Sequence, residues 1–259
     1  MRSIAQLFQR DGKKLVPFIT AGFPEFDGTP ELVHAAEQGG ADMVEIGMPF
    51  SDPLADGPVI QHASQKALEN GVTIRKILTQ VEVIREKTTI PVVLMGYINP
   101  IVKYGIHQFL QDARSAGVSG LILPDLPPEE GEKIYSEIKT QGMSSILLVA
   151  PNTASDRMTR IGAMAEDLLY AVSILGVTGS GITQKEKLKN YLRRIRQATD
   201  VPFVVGFGIS TTEDVRSIAP MADGIVVGSA LIRKIESSRH PARATEQFMS
   251  TLKKALFDS

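Results

Sequence analysis

The chain has 259 residues, in which 28 lysines and arginines nearly balance 29 aspartates and glutamates, for a formal net charge of −1. No block of like charge interrupts it, which argues against a nucleic-acid or anionic-membrane partner. Cysteine is absent, so disulfides, a thiolate nucleophile and a cysteine-based zinc site are all excluded.

From the start of the chain, Ile4, Leu7 and Phe8 fall at helical spacing and soon meet Arg10, Asp11, Lys13 and Lys14. A secretory signal needs a longer apolar run and a small-residue cleavage site. The longest apolar stretch, 168–177, is too short to cross a bilayer. A cytoplasmic protein is expected. Short β-branched runs at 15–20, 43–47, 91–97, 120–124, 145–150, 168–173, 202–206 and 224–228 predict eight strands. Helical periodicity falls between them, at 31–38, 59–70, 74–87, 106–116, 128–141, 155–163, 185–198 and 212–218, and 242–256 closes the chain. Gly39, Gly71, Gly117 and Gly142 stand at helix exits, where a left-handed residue is wanted.

Strands that alternate with helices imply a parallel sheet, because parallel neighbours need a crossover. Eight such units fit a closed (β/α)8 TIM barrel, one domain over 1–259, with an extra N-terminal helix and additional helices after strands two and eight. No Gly-x-Gly-x-x-Gly follows the first strand, as a dinucleotide-binding fold would usually show. In a barrel the active site sits at the C-terminal ends of the strands.

The most informative segment runs from Glu45 to Gly57. It leaves strand two through Pro49, Phe50, Ser51, Asp52, Pro53, Leu54, Ala55 and Asp56, and reaches Gly57-Pro58, where a helix can start. Ordinary strand–helix links are about 2–6 residues long, so this one is read as functional. Glu45 shares strand parity with Met43 and Gly47, opposite Val44 and Ile46, and should point into the barrel mouth. A carboxyl in that dry place can shuttle protons near neutrality; the plainer reading pairs it with an arginine. Asp56 would be the second carboxylate over the mouth, or a charge complementing the next helix.

After strands seven and eight come Gly206-Phe207-Gly208-Ile209-Ser210 and Gly228-Ser229-Ala230. Two glycine turns there, the second opening a short helix, are the pattern of a barrel phosphate site. Phe23, Tyr97, Tyr170 and Phe207 lie near strand ends and suggest a planar apolar ligand group. The predicted strands contain no lysine, which disfavours a Schiff-base aldolase. The four histidines, His34, His62, His107 and His240, lack ligand-like spacing, and no metal site is expected.

These segments closely resemble the tryptophan synthase alpha subunit family. The resemblance rests on Pro17 through Pro24, Glu45 through Gln61, Met95 through Pro100, Leu123 through Pro127, Gly176 through Gly179 and Gly206 through Ser210, and spans nearly the whole chain in order. It implies retro-aldol cleavage of indole-3-glycerol phosphate to indole and glyceraldehyde 3-phosphate, a carbon–carbon lyase step without a cofactor. Carried over, Glu45 is the catalytic acid/base and Asp56 holds the indole N–H. Gly179, Gly208, Gly228 and Ser229 match the phosphate positions, Phe23, Tyr97, Tyr170 and Phe207 the indole surroundings, and Thr178 the mobile loop. The resemblance also implies a pyridoxal-phosphate-bearing beta subunit in an alpha2beta2 heterotetramer, met by a loop that includes Pro49, Ser51, Asp52 and Pro53. Three rivals stay open on the residues alone: another phosphate-binding barrel enzyme, a silent activator of a partner enzyme, and a stand-alone lyase.

Overall fold

The computed structural model describes residues 3–173, 182–206 and 208–257. Its strands are β1 (Lys14–Thr20), β2 (Val44–Gly47), β3 (Val92–Met95), β4 (Gly120–Ile122), β5 (Ser144–Ser145), β6 (Leu147–Val149), β7 (Leu169–Val172), β8 (Phe203–Gly206) and β9 (Gly224–Val227). They form one sheet in the order β5-β4-β3-β2-β1-β9-β8-β7-β6, every pair parallel. The two ends of that order, β5 and β6, are halves of one run separated by Ile146. The first half pairs with β4 and the second with β7, so the sheet closes on itself as eight barrel strands, of which the fifth is this interrupted one. The sequence reads 145–150 as a single strand; the interruption comes from the switch of partner partway along, the stagger that a closed barrel requires.

Outside lie α1 (Ile4–Phe8), α2 (Thr29–Gln38), α3 (Pro58–Glu69), α4 (Ile74–Arg85), α5 (Ile98–Tyr104), α6 (Ile106–Ala116), α7 (Pro128–Thr140), α8 (Ser155–Met164), α9 (Ile182–Ala198), α10 (Thr212–Ile218), α11 (Ser229–Glu236) and α12 (Pro241–Phe257). Strands buried on both faces explain the near-continuous apolar runs of the sequence; β1 to β4 are buried throughout. Among the described residues no helix is long and apolar enough to cross a membrane.

Two further elements depart from the sequence reading. Helix α5 is unanticipated, because Asn99-Pro100 reads as a turn. Proline is tolerated there: Pro100 falls in the first turn, whose amides have no partner within the helix. Strand β1 starts one residue early, at Lys14, so a strand does carry a lysine. Lys14 lies at the end of β1 away from the mouth, and its ammonium donates to the carbonyls of Arg10, Asp11 and Gly12 at 2.8, 3.0 and 2.5 Å. Burial lowers its pKa, but all three donors are engaged far from strand C-termini, and no Schiff-base role follows.

Candidate active site

Glu45 lies in the middle of β2, in register with Phe18 of β1 and Val93 of β3. Its side chain is 1 % exposed, and Oε1 has no hydrogen-bond partner among the described residues. Among the described residues no arginine charge acts on it, and the plainer reading of a structural ion pair finds no support there. Burial first, then the nearby charge of Asp56, pushes the Glu45 carboxyl up to about 8. An ionised carboxylate without a partner is costly in such a place, so the group keeps its proton near neutrality.

Asp56 ends the long loop after β2, just ahead of the N-cap Gly57 of α3. Burial raises its pKa, and a hydrogen bond from the Tyr97 hydroxyl opposes that rise. Its carboxylate thus accepts from Tyr97 while standing next to the start of α3. The Tyr97 hydroxyl also accepts from the Ala55 N–H at 2.9 Å, and its ring lies 5.4 Å from Phe50 at an interplanar angle of 35°. The inner side of the loop is fixed in this way; Ser51, Asp52 and Leu54 face solvent, Leu54 at 94 % exposure. Ser51 Oγ donates to Asp52 at 2.5 Å.

Tyr170 of β7 completes the group. Burial, then the charges of Glu45 and Asp56, raise its hydroxyl pKa well above the usual range. A Cβ on Gly206 would land on that hydroxyl, so β8 must carry glycine where the Tyr170 phenol crosses the lumen. Gly47 is glycine for a parallel reason: a Cβ there would overlap the Phe18 ring. Phe18, Leu148 and Val172 face the same interior by register, Leu148 opposite Tyr170 and Val172 opposite Gly206. They supply apolar wall beside the two carboxyls.

Phe23 does not. Its ring is fully buried, with the Lys66 ammonium of α3 5.8 Å from its centroid, so it packs between β1 and α3. The aromatic side chain facing the lumen from β1 is Phe18. Strand parity carries that signal, since Phe18 alternates with Ile19 and pairs in register with Glu45.

At the rim, Gly228 is the N-cap of α11 and Ser229 its first residue, and the first-turn amides there lack helical acceptors. Gly208 has φ +78°, a conformation that a side chain resists. Thr178, Gly179 and Phe207 fall outside the described residues. Among those described, no three side chains of the metal-ligating kinds come together.

The sequence pattern that defines the family "Tryptophan synthase alpha chain" matches residues 4–257. The chain belongs to the tryptophan synthase alpha chain family. A tryptophan synthase alpha chain from Petrotoga mobilis is 46 % identical over 238 residues, covering 92 % of each chain. One from Burkholderia multivorans is 42 % identical over 258 residues, 98 % of this chain and 95 % of that one. The crystal structure of tryptophan synthase subunit alpha from Legionella pneumophila superposes with a TM-score of 0.92 at 38 % identity and full coverage of both chains. An alpha-family fold also appears in the tryptophan synthase complex from Pyrococcus furiosus, with a TM-score of 0.85 at 32 % identity, covering 94 % of this chain and 98 % of that one.

Proposed function

We propose that this chain is the lyase subunit that cleaves indole-3-glycerol phosphate to indole and glyceraldehyde 3-phosphate in tryptophan biosynthesis. The observation that carries the reading is the Glu45–Asp56 pair: two carboxyls beside an apolar lumen, one of them wholly buried with no hydrogen-bond partner for Oε1 among the described residues. The reaction has one need for each. Breaking the bond between indole C3 and the glycerol side chain requires a proton at C3 and the loss of one from the side-chain hydroxyl, which becomes the aldehyde. Glu45, with its pKa raised to about 8, can give the first and take the second near neutral pH. Protonation at C3 puts positive charge on the indole nitrogen. Asp56, held by Tyr97, is the group that accepts the ring N–H and stabilises that charge in a dry site.

In this reading Phe18, Leu148, Val172, Tyr97 and Tyr170 enclose the ring, with Phe207 added from the sequence pattern. Gly179, Gly208, Gly228 and Ser229 receive the phosphate, the last two through the amides that open α11. Thr178 belongs to the loop that closes over substrate. No cofactor takes part. The partner is a pyridoxal-phosphate-bearing beta subunit in an alpha2beta2 assembly, met through Pro49, Ser51, Asp52 and Pro53. Exposed Leu54 belongs to the same surface, since a large apolar side chain left in solvent marks a contact face.

Incubating the chain with indole-3-glycerol phosphate and following indole release tests the assignment. Release is expected slowly alone and faster with the beta subunit. No indole in its presence rejects the lyase reading; equal rates with and without it reject the partner.

A further inference from the structure

Asp125 lies just beyond the C-terminal end of β4, on the mouth side of the barrel, and the sequence reading gives it no role of its own. Its two oxygens accept from one donor, the Ile98 N–H, at 3.0 and 3.2 Å. That amide opens α5, whose N-cap is Tyr97. Tyrosine has no short polar side chain with which to cap, and Tyr97 makes no side-chain cap bond. Asp125 supplies from another loop the acceptor that the N-cap residue cannot.

The consequence reaches the site through Tyr97. With Ile98 pinned, the extended N-cap conformation of Tyr97 (φ −84°, ψ 151°) is fixed. The ring then projects so that its hydroxyl takes the Ala55 N–H at 2.9 Å and gives its own proton to Asp56. Phe50 packs against the same ring. The long loop after β2 is otherwise exposed from Ser51 to Ala55 apart from half-buried Pro53, so Tyr97 is where it is tied to the barrel. We propose that Asp125 is a positioning residue for Asp56, acting through the first amide of α5 and the Tyr97 ring to hold that carboxyl over the lumen. This rests on the reading of Asp56 as the acceptor of the indole N–H.

A misplacement well under the length of a bond in such a chain lowers the rate of the step it serves and leaves ground-state binding nearly intact. Cleavage of indole-3-glycerol phosphate should be measured with the beta subunit present for the wild type, Asp125→Ala, Asp125→Asn, Tyr97→Phe, the Asp125→Ala/Tyr97→Phe double variant and Asp56→Asn. Asp125→Ala is expected to lower kcat by about tenfold with KM changed less than about threefold. Asp125→Asn keeps an oxygen acceptor and is expected to stay within about twofold of the wild type. The double variant is expected to match Tyr97→Phe alone, because both changes break one chain. In Asp125→Ala and Tyr97→Phe alike, the acid limb of the kcat/KM profile should move to higher pH as Asp56 loses its donor, with Glu45, Tyr170 and Tyr97 itself the ionisable groups that face it. A helix cap that served only stability would move none of these readouts.

An unchanged kcat in Asp125→Ala overturns the proposal, as does an Asp125→Asn variant as impaired as the alanine, or effects that multiply in the double variant. The underlying reading fails separately. If Asp56→Asn cleaves at the wild-type rate, Asp56 has no catalytic task and the proposal falls with it. If Asp56→Asn is inactive while Asp125→Ala is normal, the positioning role alone is overturned.

Discussion

Replacing Glu45 by glutamine should make this protein more stable while it stops the chemistry, and the gain should depend on pH. The carboxyl is pushed from 4.5 to about 8 by burial and by Asp56. Below the lower value both folded and unfolded chains hold the proton, and the site imposes no electrostatic cost. Between the two values the unfolded chain ionises while the folded one stays protonated. The native state then binds more protons than the unfolded state, so stability falls as pH rises. At neutral pH the loss amounts to about 3 kcal/mol, and it levels off at about 5 kcal/mol above the folded pKa. Glutamine has nearly the same shape, is equally buried and does not titrate. Urea unfolding of both proteins at about pH 5, 7 and 9 reads the difference as midpoint shifts at constant slope. The variant is expected to gain little at the lowest pH, about 3 kcal/mol at the middle one and more at the highest. Against a typical total of about 5–15 kcal/mol, that is a large effect. A stability gap that stays flat across this range refutes the reasoning, because the carboxyl would then titrate as in the unfolded chain.

Gly206→Ala pushes a methyl into the Tyr170 hydroxyl and should cost about 1–3 kcal/mol in chemical denaturation and also lower kcat; an unperturbed variant shows that β8 can yield. Phe18→Ala and Phe23→Ala should separate cleanly. The first is expected to weaken substrate use with modest loss of stability. The second opens a cavity between β1 and α3 and should lower stability by about 3–5 kcal/mol, and the reverse pattern in paired kinetics and melts contradicts the placement of these rings. Leu54→Asp, at a position 94 % exposed, should leave the slow activity of the isolated chain unchanged and abolish its stimulation by the beta subunit; full stimulation removes Leu54 from the contact surface.

The barrel was legible in the sequence because parallel strands buried on both faces write themselves as β-branched runs, and because each helix of a β/α unit leaves its own period. Glu45 was legible through strand parity and through the rarity of an acid in such a run. Asp56 was legible through the length of its loop. Phe18 was hidden for the opposite reason: an aromatic residue inside an apolar strand reads as ordinary core, whereas Phe23, just past a strand end, reads as wall of the mouth. The register with Glu45, together with the close approach of its ring to Gly47, places Phe18 in the lumen. Helix α5 was obscured by Pro100, and with it the link from Asp125 toward Tyr97, which runs through the amide of Ile98, 27 positions from Asp125. Such a link leaves no trace in residue type. Lys14 shows the same limit at a strand boundary, where one residue decides whether a lysine counts as part of the barrel.

The central claim is that Glu45 and Asp56 together carry the bond cleavage, and single-turnover indole release at saturating indole-3-glycerol phosphate tests it most directly. With the beta subunit bound, Glu45→Gln and Asp56→Asn should each slow that release by at least about a hundredfold while substrate still binds. Either variant releasing indole at the wild-type rate contradicts the account.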